Sequence, residues 1–359
     1  MHFIMKFSYQ SFANKVIFGQ NLVPALEAEL ALEATPNAVL LIASTRYRDL
    51  VEEITRLPNL HLVVHIDQVA QHVPADLVRA VLENIRNKNL QKIISIGGGS
   101  SIGLAKALAL ETALPIWAVP TTYSGSEMTN MYGITADGAK KVGRDDRVLP
   151  QKVFYDAALS LNMPLPLAAC SAMNALAHLV EALYSPSGNP LTQQNAITGM
   201  GYLLQGLRGL AFQKELSAGI NEQLLLGACL SGKCLCEVNM ALHHKLAHVI
   251  GGNYRLDHAQ THTVLLPHVL AYQWPYLAEP LKVDFQRVFA SSYPPAAIKT
   301  LAQQLGIPIS LAEIGFQENH IEATAAAISK QQFENPAPLD LARLVLLLQE
   351  TLNGNLPGN

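Results

Sequence analysis

The chain has 359 residues, half of them apolar and 15% charged, which is too apolar for a disordered chain and long enough for two domains with sizeable cores. Its 25 basic and 28 acidic residues leave a net charge of -3, without the basic footprint of a duplex-binding protein, so the composition argues against nucleic acid as a partner. No apolar run reaches membrane-span length, Met1 to Phe12 lacks a signal-peptide core, and Cys170, Cys229, Cys234 and Cys236 contain no CxxC pair. The expectation is a reduced, cytoplasmic protein with no membrane partner.

In chain order, the first 160 residues alternate between two periodicities. Residues 37–43, 61–66, 92–96 and 115–119 are short apolar runs that predict buried parallel strands. Residues 49–56, 74–87 and 101–110 between them carry helical spacing. Strands spaced by helices predict βαβ units and a parallel sheet. After about Ser160 the strand-like runs become scarce, and residues 167–183, 193–207, 220–240 and 339–352 read as helices. We therefore expect an α/β domain over 1–160 and an all-helical domain over 161–359. The boundary falls where Asn162, Pro164 and Pro166 interrupt the pattern.

Three groups of residues point to chemistry. Gly97-Gly98-Gly99-Ser100 follows the third strand and opens a helix, where glycines let a phosphate approach free backbone N–H groups. Thr121, Thr122 and Ser126 lie in a second hydroxyl-rich loop after the fourth strand, and ligands of open α/β sheets bind at such strand ends. Taken alone, each loop also reads as an ordinary turn. The strongest signal is histidine clustering: six of the 12 histidines (His243, His244, His248, His258, His262 and His268) fall within 26 positions. His244 and His248 share a helix face, as do Asn174 and His178. Two such pairs plus His258 predict a metal or proton-transfer site. The run Lys140–Arg147 reads as a solvated charged hairpin, and the cysteines as structural.

These residues together resemble the iron-containing alcohol dehydrogenase family over nearly the whole chain. The carriers are Gly97-Gly-Gly-Ser, Pro120-Thr-Thr, Asn174…His178 and His244-Lys-Leu-Ala-His248…His258. Residues 121–128, 143–150, 173–184 and 241–252 are more specifically similar to its maleylacetate reductase branch. The resemblance implies a dehydroquinate-synthase-like fold, in which an N-terminal domain binds NAD(P)H and a helical domain closes the cleft. It also implies reduction of 2-maleylacetate, a small dicarboxylate, to 3-oxoadipate in aromatic-compound breakdown, and a homodimer.

Metal-dependent members of the family carry an aspartate where this chain has Asn174, and the other ligand positions become His178, His244 and His258. An amide is a weak ligand, so the expectation is chemistry without a required metal; a metal, if bound, would take those three histidines. The resemblance then implies that His178, His244 and His258 hydrogen-bond the ketone oxygen while His243 or His248 delivers a proton. Asn174, Arg144, Lys245 and Tyr123 become candidates for substrate binding. Ser44 stands where some members carry an aspartate, and with Arg46 nearby NADPH is tolerated beside NADH. The competing readings are a metal-dependent alcohol or aldehyde oxidoreductase, a dehydroquinate-synthase-like lyase, and a non-catalytic nucleotide-binding relative.

Overall fold

The computed structural model describes residues 7–33, 37–70, 73–136 and 139–356; half of the Met1–Phe12 stretch therefore lies outside the described residues. The chain divides into two compact units, Phe12–Asn162 and Met163–Asn359, and residues 7–11 belong to the second rather than the first. Tyr9 marks that membership: its hydroxyl donates to Glu237 Oε1 at 2.8 Å.

The first unit runs β1 (Lys15–Phe18), α1 (Leu22–Ala31), β2 (Asn37–Ala43), α2 (Arg48–Thr55), β3 (Leu60–Ile66), α3 (Ala75–Ile85), β4 (Lys92–Gly97), α4 (Gly99–Thr112), β5 (Ile116–Pro120), β6 (Met131–Ala136), β7 (Ala139–Arg144) and β8 (Lys152–Tyr155). Six strands form one parallel sheet in the order β1-β8-β5-β4-β2-β3. Side chains alternate across it. Val39, Leu41, Ile94, Ile96, Trp117 and Val119 pack on one face against α1 and α2. Leu40, Ile42, Ile93, Ile116 and Ala118 pack on the other against α3 and α4. Burial on both faces explains why these strands read as continuous apolar runs. Cutting fully buried Ile94 to alanine would cost about 2–5 kcal/mol.

From β2 the chain proceeds outward to β3, then returns to build β4 on the opposite side of β2. That reversal places the carboxyl ends of β2 and β4 at a topological switch point, where open sheets bind ligands. The charged run found in the sequence supplies β7, which pairs antiparallel with β6.

The second unit contains α5 (Leu165–Tyr184), α6 (Pro190–Gln213), α7 (Ala218–Glu237), α8 (Leu242–Tyr254), α9 (His258–Gln273), α10 (Glu279–Phe289), α11 (Pro294–Leu305), α12 (Ile321–Ser329) and α13 (Leu341–Asn353). By length and hydropathy α5 does reach membrane-span proportions, yet 94% of its apolar window is buried in the unit, as in a core helix. α6 and α7 pack closely because small residues line their contact. A Cβ on Gly227 would sit 2.6 Å from Leu203 Cγ, and one on Gly206 2.6 Å from Leu224 Cδ2. The helix expected over 220–240 is α7, which ends three residues earlier, at Glu237; α8 then leaves at 98° to it.

Candidate active site

In the α/β unit, two loops interlock at the ends of β4 and β5. Thr121 N donates to Gly97 O at 3.0 Å. A Cβ on Gly98 would come within 2.9 Å of Thr122 Cγ2, and one on Gly97 within 2.8 Å of Ser101 Cβ. Gly97 also has φ +149°, open mainly to glycine. The N-terminus of α4 has no side-chain cap, so its first N–H groups remain for a phosphate. Gly99 and Ser100 lie in that first turn, while Thr122 and Ser126 are half-buried in the neighbouring loop. The residues present fit a nucleotide's phosphates.

Around this turn the other predicted residues separate. Ser44 follows β2 in extended conformation. Arg46 is exposed, donating to Asn162 O at 3.1 Å and lying over the Tyr47 ring. Arg144 is exposed at the end of β7. Tyr123 is fully buried, and burial raises its phenol above the usual range.

The helical unit gathers the histidines from three helices, each offering a pair four residues apart. On α5, Asn174 and His178 share a face with Glu181, and all three are buried. On α8, His243 and His244 are buried in the first turn, His248 is exposed, and Lys245 is half-buried with its Nζ 5.8 Å from the Phe333 ring centre. On α9, Asp257 caps the helix by accepting from Gln260 N at 2.9 Å; exposed His258 and buried His262 follow. Ring centroids lie 5.0 Å apart for His178–His244, 4.9 Å for His244–His262, 4.4 Å for His258–His262 and 6.1 Å for His248–His258. The structure thus assembles all five histidines predicted as catalytic, with His262 at their centre.

Burial governs their charge. It pushes His178, His244 and His262 well below the usual imidazole range, and His243 down to about 3, reinforced by neighbouring rings. These four buried rings are therefore neutral near pH 7. His178 Nδ1 shares a hydrogen bond with Ser231 Oγ at 3.0 Å, and His243 Nε2 with His262 Nδ1 at 2.9 Å. His244 Nδ1 and Glu181 Oε2 share a hydrogen bond, which with Glu181 ionised places the ring proton on Nδ1 and leaves Nε2 bare. Asn174 Oδ1, His243 Nδ1, His244 Nε2 and His262 Nε2 are buried with no hydrogen-bond partner among the described residues. Such orphaned atoms are uncommon in native interiors and point to a ligand that completes them.

The two halves of the chain match two sequence profiles of one family: iron-containing alcohol dehydrogenase over residues 13–157, and the family's C-terminal part over 168–352. The chain belongs to the iron-containing alcohol dehydrogenase family. It is 37% identical over 352 residues to maleylacetate reductase 1 of Cupriavidus pinatubonensis, covering 98% of this chain and 99% of that one. It is 38% identical over 353 residues to the maleylacetate reductase of Pseudomonas knackmussii, with the same coverage. The crystal structure of maleylacetate reductase from Agrobacterium tumefaciens superposes with a TM-score of 0.92 at 31% identity, covering 99% of this chain and 100% of that one. The chain is an oxidoreductase of this family, with its parallel α/β region followed by a helical region.

The family's name implies iron, and this chain's residues do not fit it in the arrangement seen. Among the described residues, no three His, Cys, Asp or Glu side chains are placed to share one metal ion. The position that would carry the ligand charge is the amide of Asn174.

Sequence reasoning assigned no role to Glu181, Ser231 or His262. Glu181 carried a usable signal, as a lone carboxylate in an otherwise uncharged 20-residue helix, three residues after His178. A buried group in the α/β unit also escaped notice. Lys106 Nζ donates to Thr129 O at 2.7 Å and Met131 O at 2.9 Å, and Tyr155 donates to Glu127 Oε1 at 2.8 Å. Burial pushes Glu127 up to about 7, against the Tyr155 hydrogen bond and the Lys106 charge.

Proposed function

We propose that this chain reduces the C=C bond of 2-maleylacetate to give 3-oxoadipate, using NADH and no catalytic metal, in the breakdown of aromatic compounds. The observation that carries the reading is the histidine cluster, four of its rings buried and neutral, with an amide at position 174, in a chain that matches maleylacetate reductases along its full length. Gly97, Gly98, Gly99, Ser100, Thr121, Thr122 and Ser126 would hold the cofactor by its phosphates, and its nicotinamide would supply hydride to the alkene carbon β to the ketone.

The chain's own residues handle the charge that follows. As the ketone oxygen gains negative charge, N–H groups of His178 and His258 hydrogen-bond it. His244 was expected to share this role; with its N–H given to an ionised Glu181 it offers an acceptor there instead. The proton for the adjacent carbon was expected from His243 or His248; burial holds His243 neutral, so the exposed His248 delivers it. The substrate is a dianion, so an uncompensated carboxylate at position 174 would repel it where an amide does not. Glu181 differs, because its charge is already met by three N–H donors from α8. Arg144 and Lys245 bind the substrate's carboxylates. Ser44 places no carboxylate against a 2′-phosphate, and Arg46 offers it a cation, so NADPH is accepted beside NADH.

The test is product identification. Purified protein with NADH and freshly prepared maleylacetate is expected to consume one equivalent of each and accumulate 3-oxoadipate. NADH oxidation only with alcohols or aldehydes as the partner couple would overturn the reading.

A further inference from the structure

The start of α8 is unusual. Its N-cap is Ala241, which has no side chain able to cap, and the preceding helix turns away there by 98°. Four N–H groups at a helix start lack intrahelical partners, and leaving them buried and unpaired is costly. The cap comes from another helix: Glu181 Oε1, on α5, accepts from His243 N at 2.9 Å and His244 N at 3.4 Å. Leu242 N is met by Asn335 Oδ1 at 3.2 Å. The second oxygen of the same carboxylate takes the side chain of His244.

We propose that Glu181 is a positioning residue for the proposed reduction: one carboxylate caps α8 and fixes the His244 ring, its proton on Nδ1 and its Nε2 lone pair turned to the cluster. Two backbone N–H groups make Oε1 an acceptor, and an ionised Oε2 then takes the N–H of His244 Nδ1. Capping sets where α8 begins, and therefore where His243 and His244 stand. The bond to Nδ1 sets which way the ring faces and which nitrogen is bare. His178 stacks on that ring at 5.0 Å, and His262 lies 4.9 Å from it. His244 therefore accepts a hydrogen bond from the bound substrate or its water, complementary to the donors on His178 and His258.

The role in turnover rests on the proposed reduction, but the tautomer does not, so the two can fail separately. The experiment labels histidine with nitrogen-15 and reads each ring by long-range proton–nitrogen NMR, with His244 assigned by difference against His244→Asn. Wild-type protein is expected to show His244 as the Nδ1–H tautomer. Glu181→Gln keeps the volume but has one acceptor. If its oxygen caps α8, its amide N–H faces Nδ1 and moves the ring proton to Nε2. This variant is expected to keep the wild-type circular dichroism and KM for NADH while kcat for maleylacetate falls about 10²-fold, at the upper end of measured losses for orienting carboxylates.

An Nε2–H tautomer for His244 in wild-type protein overturns the proposal, and that reading stands even if Glu181→Gln fails to fold. An unchanged tautomer and kcat in a folded Glu181→Gln overturn it as well. Absence of maleylacetate turnover in wild type overturns the substrate reading and leaves the tautomer to decide the role of Glu181.

Discussion

The two units present ligand-binding groups in opposite ways. At the β4–α4 turn of the α/β unit the groups on offer are backbone N–H, and the side chains around them are small. Its large polar side chains, Lys106, Glu127 and Tyr155, are buried and bond one another or nearby backbone. In the helical unit the backbone is consumed by helices, and the groups on offer are imidazole nitrogens and one amide oxygen. A backbone site is set by where a Cβ cannot go. A side-chain site is set by what the other end of each side chain touches. Mutations should therefore act differently in the two units.

The largest effect is expected where one atom changes in the helical unit. Asn174→Asp places a charge beside the proposed dianion without altering shape. At a separation near 5 Å and an effective dielectric of about 20, repulsion of ~1–3 kcal/mol lowers metal-free kcat/KM by about 10- to 100-fold. Steady-state kinetics on chelated protein reads this, and an unchanged value would remove the electrostatic reason for the amide.

The α/β unit should show a similar loss from a purely steric change. Gly98→Val drives a side chain into Thr122 and forces the two loops apart, at a local cost of ~1–2 kcal/mol. We expect NADH to bind about 10-fold more weakly by fluorescence titration. Ser126→Ala, a deletion in the same loop, should change binding less than about threefold. A larger effect from Ser126 than from Gly98 would mean that side chains rather than backbone hold the cofactor.

Stability should depend on pH with opposite signs. Burial holds His178, His243, His244 and His262 below their usual pKa of 6.5. The unfolded chain then binds more protons, so the helical unit keeps full stability above about pH 6.5 and loses it as pH falls toward 3. Burial pushes Glu127 from 4.5 up to about 7. The folded α/β unit then binds more protons, so this contribution is complete below about pH 4.5 and is lost as pH rises through 7. Its upper size is about 3 kcal/mol. The chain has two tryptophans, Trp117 on β5 and Trp274 just after α9. Trp274→Phe and Trp117→Phe thus give each unit its own fluorescence probe for denaturant titrations. Parallel slopes in both would contradict the contrast, and Glu127→Gln should flatten only the slope of the α/β unit.

The smallest effect concerns cofactor choice. Arg46 is exposed and already bonded to Asn162 O, so Arg46→Ala should raise KM for NADPH about threefold and leave NADH unchanged, in line with the modest worth of exposed charges.

The α/β unit was legible in sequence where burial on both faces left unbroken apolar runs, as in β2 and β4. It was illegible at β1 and β8, whose four residues are too short for a pattern. β8 also inserts between β1 and β5 although it comes last in the chain, which no local signal encodes. In the helical unit the i, i+4 pairs announced the histidine cluster. The helix read over 220–240 overran the end of α7 because neither glycine nor proline occupies 238–241, and the cap that starts α8 lies about sixty positions earlier, at Glu181. Proton placement on His244 depends on that long-range contact. Function residues with local periodicity were readable; those defined by a partner elsewhere in the chain were not.

The most direct test of the account is the rate of NADH oxidation by EDTA-treated, metal-analysed protein given fresh maleylacetate. The account predicts rapid turnover in the absence of metal and no gain when iron or zinc is added. Turnover that vanishes on chelation and returns with either metal would contradict it, because the hydrogen-bond donors of the histidine cluster would then be insufficient to hold the charge on the ketone oxygen.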